Sequence, residues 1–279
     1  AGTEYLAWHN GVRAAALDGV TFHIAEGTYK TSSYVRISFP NRENAVKLSF
    51  KGGYSSESKG TDLSKRFVDA EDVTVMTGED KRRHFFVRYS SNLTFDGITF
   101  ANGNPNFDGG SILFNESGTS IVNFNNCKFD SNSAGAHPGG AICGGGEAKD
   151  VGTAIFNKCE FISNSSNAGG AVYANSGVWK FKDCTIKNNS STGASGAFHM
   201  EADTEVSISG GSFETNTAVS DGGAMRVASK SFVADDVDFI GNKGAQTTAG
   251  NSQGGAIYFA NNESGSERTV SNCLFKENT

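Results

Sequence analysis

Short runs of alternating apolar and polar residues recur along the chain, separated by Gly, Asn and Ser, with no helical spacing inside them. That alternation, one face in and one face out, is the mark of a β-strand. The runs repeat. Cys-x-Phe-x-x-Asn stands at Cys127–Asn132, Cys159–Asn164 and Cys273–Asn278, with looser copies at Cys184–Asn189, Gly211–Asn216 and Val237–Asn242. Ile98-x-Phe100 is an earlier copy. After each comes Gly-Gly-Ala-apolar, at Gly139–Ile142, Gly169–Val172, Gly222–Met225 and Gly254–Ile257, with variants at Gly109–Ile112 and Ser195–Phe198. Six steps separate Ile98 from Cys273, a mean period of about 29 residues, which is solenoid spacing.

The alternation assigns the interior. Three residues before the Cys column stand Phe124, Phe156, Phe181, Ile208, Ala234 and Val270; two after it stand Phe129, Phe161, Ile186, Phe213, Phe239 and Phe275. The Gly-Gly-Ala strand contributes Ile112, Ile142, Val172, Phe198, Met225 and Ile257. Three inward columns per coil predict three sheets around one core. The Asn column, 132 to 278, is predicted to turn the chain and to hydrogen-bond from coil to coil.

Before residue 92 the pattern loosens. Gly11–Leu17 is the best helix candidate, stopped by Gly19, and would cap the first coil; strands are predicted at Val20–Ile24 and Val46–Phe50. The chain reads as one domain, with cap and first coils over 1–91 and regular repeats over 92–279. The half-finished coil at Asn278-Thr279 suggests a piece of a longer protein.

The paired Phe-x-x-Asn and Gly-Gly-Ala-Ile motifs resemble the repeats of chlamydial-type polymorphic outer membrane proteins. That resemblance implies an all-β, right-handed parallel β-helix of the pectin-lyase-like class: a single-stranded solenoid, exported and displayed at a bacterial surface.

Composition narrows the partners. Gly is 35 of 279 residues and Pro only 3, which excludes collagen-like and Pro-rich chains, and 21 Phe supply a core. A net charge of −6 speaks against nucleic acid, and no apolar run is long enough to cross a membrane as a helix. A monomer is expected. Five Cys cannot all pair; four share an inward column and are expected to be reduced, buried and small. No zinc spacing occurs, and no outward column stacks acids on adjacent coils as calcium would need, so no metal or cofactor is expected. Asp235-Asp236 reads as a solvated turn.

One outward column carries chemistry. The residue after each inward apolar of the Gly-Gly-Ala strand is Leu113, Cys143, Tyr173, His199, Arg226 and Tyr258, with Asn175 and Glu201 two positions beyond Tyr173 and His199. Tyr173, Asn175, His199, Glu201, Arg226 and Tyr258 are therefore the candidate ligand-binding residues. The preceding column, Ser111 and then Ala141, Ala171, Ala197, Ala224 and Ala256, would flank them as a flat outward strip. Aromatic faces beside hydrogen-bonding groups suit a glycan, and Tyr and Arg equally suit a host or cell-surface protein. Adhesion or glycan binding outside the cell is the leading reading. The alternative is a polysaccharide lyase on uronate-containing glycans, with His199 or Tyr258 as base and Arg226 neutralising the substrate carboxylate. The third is a structural spacer.

Overall fold

The computed structural model describes residues 19–31, 33–38, 46–55, 66, 74–88, 91–115, 120–145, 152–244, 254–260 and 266–279. The capping helix expected at Gly11–Leu17 lies outside them. Among the described residues every regular element is a strand, and every ladder between strands is parallel, so the chain is an all-β parallel β-helix.

Each coil passes through three sheets. The first stacks Val20–Ala25 on Val46–Tyr54, Ser91–Asp96, Ile121–Asn125, Thr153–Asn157 and so on to Glu267–Ser271. The second runs from Gly27–Lys30 through Thr74–Thr77, Thr99–Ala101 and Lys128–Asp130 to Leu274–Lys276. The third runs from Val35–Ser38 through Phe85–Arg88, Ile112–Asn115 and Ile142–Gly144 to Ile257–Phe259. Two strands, Val172–Lys187 and Phe198–Glu214, continue round the corners and join all three. A fourth, two-residue ladder links Ser165–Ser166, Ser190–Ser191, Thr217–Ala218 and Lys243–Gly244.

Register is what makes the core. In-phase pairing puts Phe95, Phe124, Phe156 and Phe181 in one file, with neighbouring rings stacked 4.8–5.1 Å apart. Phe100, Phe129 and Phe161 form a second file at 4.8–5.2 Å. The inward columns are buried as the alternation predicts, except in the last described coil, where Val270 and Phe275 are exposed and Ile257 and Cys273, expected to be buried, are only half-buried, because no described strand stacks beyond them. Two further inward columns escaped the sequence reading. One is Leu93, Val122, Ala154, Trp179, Val206 and Phe232; the other is Phe114, Ala174, Met200 and Val227.

The Asn ladder is buried inside the corner. Asn132 Nδ2 donates to the carbonyl of Phe100 at 2.9 Å and to Asn164 Oδ1 at 3.0 Å. Asn164, Asn189, Asn216 and Asn242 repeat the pattern toward Asn278. The steps are 32, 25, 27, 26 and 36 residues, so coil length varies while the ladder keeps phase. The left-handed turn residue is not the ladder Asn but the one before it: Ser131, Ser163, Asn188, Thr215 and Glu277, at φ 52–56°. The amide is thereby left to point inward.

The Ala column also differs from expectation. Ala141, Ala171, Ala197 and Ala224 belong to the core and have no exposed surface. The carbonyl of Ala141 accepts from two successive N–H groups, Ser111 at 2.8 Å and Ile112 at 3.0 Å, and the next coils repeat this. Two adjacent N–H groups on one carbonyl break the alternation, so Ala and the following apolar residue both turn in. There is no flat outer strip of small residues. Upstream in this column lies His84, fully buried, its Nδ1 3.0 Å from Ser111 Oγ.

Candidate functional site

The outward column of the third sheet is in register. Leu113 pairs with Cys143, Cys143 with Tyr173, Tyr173 with His199, His199 with Arg226, and Arg226 with Tyr258. The sequence-predicted residues therefore do share one face on adjacent coils. The column is not uniformly open. Leu113 and Cys143 are buried, Tyr173, Arg226 and Tyr258 are half-buried, and His199 is only 7% exposed.

A hydrogen-bonded network explains the burial of His199. Its ring lies 5.1 Å from that of Tyr173. Nδ1 is 2.9 Å from Ser195 Oγ, and Nε2 is 2.9 Å from Glu201 Oε1. Arg226 Nη1 also lies 3.0 Å from Nε2 and 3.5 Å from Glu201 Oε2. The two contacts at Nε2 exclude one another as hydrogen bonds, since guanidinium only donates and carboxylate only accepts. An ionised Glu201 favours the Nε2–H tautomer, with Ser195 Oγ–H donating to Nδ1 and Arg226 turning its charge to Glu201. The Tyr173 hydroxyl reaches Glu201 Oε1 at 3.5 Å.

Local backbone supplies the parts. A register shift opposite Ala174–Ser176 inserts one residue in Phe198–Glu214 after Met200, a bulge that lifts Glu201 out of the regular ladder and leaves it beside His199 and Arg226. Asn175 sits at the same irregularity, but its Nδ2 donates to the carbonyl of Gly145 at 3.3 Å. Ser195 was not among the predicted residues. It occupies the left-handed position, φ 65°, that Gly109, Gly139, Gly169, Gly222 and Gly254 fill in other coils. Its signal was in the sequence: the one Ser in the Gly column precedes by four residues the one His in the outward column.

The electrostatics follow. Glu201 is held below the ordinary carboxylate range, first by its hydrogen bond with His199 and further by the charge of Arg226, against burial. Burial, and then the charge of Glu201, push the Tyr173 phenol up to about 12. Tyr173 is thus a hydrogen-bond donor near neutral pH, not a base. The Ser195–His199–Glu201 chain has the connectivity of a nucleophile relay, but Ser195 is fully buried, so no substrate carbon can meet its Oγ. His199 has both ring nitrogens occupied and little access, which removes the base that a lyase would need from it. Tyr258 and Arg226 remain reachable. Of the Asp235-Asp236 pair, Asp235 is held by Ser271 Oγ at 2.7 Å and Asn272 Nδ2 at 2.9 Å, while Asp236 takes the left-handed turn at φ 58°. Among the described residues no three His, Cys, Asp or Glu side chains converge as a metal site.

No protein-family model matches the sequence, and no curated protein is significantly similar to it. A solved structure that is similar in overall form is the pectin methylesterase from Aspergillus niger, in deglycosylated form. It is 13% identical with a TM-score of 0.47, over 94% of this chain and 79% of that one. It gives no residue of this chain a role.

Proposed function

We propose that the chain is a non-catalytic binding solenoid that holds a glycan along the Tyr173–Tyr258 column outside the cell, as an adhesin would. The observation that carries this is the register: Tyr173, His199, Arg226 and Tyr258 stand on successive coils of one sheet. Coils rise by about 4.8 Å, a spacing comparable to one sugar unit, so a chain of sugars lying along the axis meets one side chain per unit. The tyrosine rings offer faces for sugar C–H groups, and Arg226 and Glu201 offer donors and acceptors. The Ser195–His199–Glu201 network fixes these groups in advance, which lowers the ordering cost of binding.

A second reading has its own support. Glu201 already neutralises Arg226, and His199 is satisfied from within, which is what a purely structural spacer would also show. A glycan array separates the two. The wild-type chain should retain one glycan class, and Arg226→Ala/Tyr258→Ala should weaken retention at least tenfold, about 1.4 kcal/mol. A wild-type chain that retains no glycan leaves the spacer. Growth of ultraviolet absorbance from a uronate polymer, as the ene product of β-elimination forms, would overturn the non-catalytic assignment.

A further inference from the structure

At the corner that leads into the third sheet, several coils before Tyr173, lies a separate cleft of about 290 Å3. Tyr34, Lys81, Arg82, Arg83, Pro105 and Phe107 line it. The chain carries a net charge of −6, yet among the described residues three consecutive cations and no acid line this space. The acids of the surrounding turns face elsewhere or are engaged: Glu79 pairs with Lys30 at 2.5 Å, Asp108 Oδ1 lies 3.4 Å from His137 Nδ1, and Asp80 is outside the lining.

Arg83 is the unusual member. It is 7% exposed. Its Nε donates to the carbonyl of Gly109 at 3.3 Å and its Nη2 to the carbonyl of Asp108. These are dipoles. Among the described residues Arg83 has no ion pair, and its Nη1 makes no hydrogen bond. A guanidinium taken out of water with no ion pair, and with only the more distant carboxylate of Asp108 to offset it, is an unfavourable arrangement that an incoming anion would relieve. Burial pushes its pKa down, against the charge of Asp108.

The walls have a different chemistry. Phe107 is 65% exposed and Tyr34 46%. Among the described residues Phe107 has one ring neighbour, His137 at 5.6 Å, and Tyr34 has one, Phe86 at 6.0 Å, and both rings keep much of their surface exposed. Exposed rings beside a fork-shaped cation match a ligand with an apolar ring face and an anion at its edge. A carboxylate or sulfate accepts two parallel N–H bonds from guanidinium, and a sugar ring lays its C–H face on an aromatic one. The volume sits at the small end of ligand sites and admits one or two ring units. An acidic peptide would satisfy the cations but has no use for two bare ring faces.

We propose that this cleft binds an anionic sugar residue, carboxylated or sulfated, with Arg83 and its basic neighbours taking the anion and Phe107 and Tyr34 the ring. The proposal does not depend on the column reading. Calorimetric titration of the whole chain tests it with four probes: a short oligouronate, the methyl ester of that oligouronate, a sulfated oligomer of neutral sugars, and hexaglutamate. Saturable binding of the oligouronate or the sulfated oligomer is expected at millimolar concentration or below. Which of the two binds more tightly identifies the anion. The ester should bind at least tenfold more weakly than the acid, as should the better probe to Lys81→Ala/Arg82→Ala and to Phe107→Ala. These positions lie outside the core, so the folded chain is retained; Arg226→Ala/Tyr258→Ala should bind as wild type does. The proposal is overturned by no saturation with either anionic sugar, by an ester as good as the acid where the uronate is the better probe, by hexaglutamate binding as tightly as the sugars, or by binding that survives both cleft variants.

Discussion

Ser195 occupies a backbone conformation that costs an L-residue roughly 1–2 kcal/mol and that glycine adopts freely. Its coil keeps Ser because Oγ satisfies Nδ1 of a nearly buried imidazole. Leaving that nitrogen without a partner costs about 1–3 kcal/mol. Ser195→Gly relieves the strain and loses the bond, so urea denaturation should show a change within about 1 kcal/mol of zero. Ser195→Ala keeps the strain and loses the bond, and should destabilise by about 1–3 kcal/mol. A harmless Ser195→Ala would mean that the bond to His199 contributes nothing. His84 makes a pH prediction. Burial lowers its pKa from 6.5 to about 4, although the carbonyls of Met76 and Ala101 favour the charged form. Nε2 nonetheless has no hydrogen-bond partner among the described residues. The unfolded chain therefore binds a proton between pH 6.5 and 4 that the folded chain refuses. Stability is full above the unfolded value and falls with pH across that window, by roughly 3 kcal/mol at 1.36 per unit. Denaturation curves from pH 7.5 to 4 should show the loss, and His84→Gln should flatten it. Glu201 adds to the acid side in the same sense: its carboxylate is stabilised in the fold, and that contribution is lost as pH falls through its lowered value.

At the level of strands and ladders, the inward and outward sets should differ sharply. Phe161 stacks on Phe129 at 4.8 Å and meets Phe156, Phe181 and Phe198 edge-on, so Phe161→Ala should cost about 3–5 kcal/mol. Glu160→Ala, one residue away and outward, should stay within about 0.5 kcal/mol. Asn189→Ala should rival the Phe change, because it takes a donor from the carbonyl of Phe161 and from Asn216 Oδ1, which keeps only the backbone N–H of residue 189, and the shared acceptor from both N–H groups of Asn164. Equal unfolding midpoints for Phe161→Ala and Glu160→Ala would contradict the inward assignment. The files of Phe, Cys and Asn were legible because identical residues recur at one phase of the repeat. The inward place of Val122, Ala154, Trp179 and Val206 was not, because that column mixes sizes and carries no motif. The Ala column was misplaced for a physical reason: strict alternation was assumed across a corner where two N–H groups share one carbonyl.

For the molecule as a whole, period and composition were enough to define a solenoid, since each motif copy is one turn of the same path. The alignment of Tyr173, His199, Arg226 and Tyr258 followed from phase alone. Their accessibility did not. It depends on Ser195 and Glu201 closing round His199, and on a bulge that no repeat announces. The Arg83 cleft was illegible for a related reason. Its walls come from turns at 34, 81–83 and 105–107, in coils where the repeat is weakest, and only the stacking of those coils brings them together.

The buried Asn ladder gives the molecule a direction. From Asn132 to Asn278 every amide presents its oxygen toward the preceding coil and its nitrogen toward the following one. The side-chain dipoles therefore add head to tail along the axis instead of cancelling, and each bond polarises the next. The interior is a vector as well as a hydrocarbon column. A coil grafted in with the same polarity extends the ladder. An inverted one would set oxygen against oxygen on one side and nitrogen against nitrogen on the other, where the amides of Asn132 to Asn242 have no exposed surface.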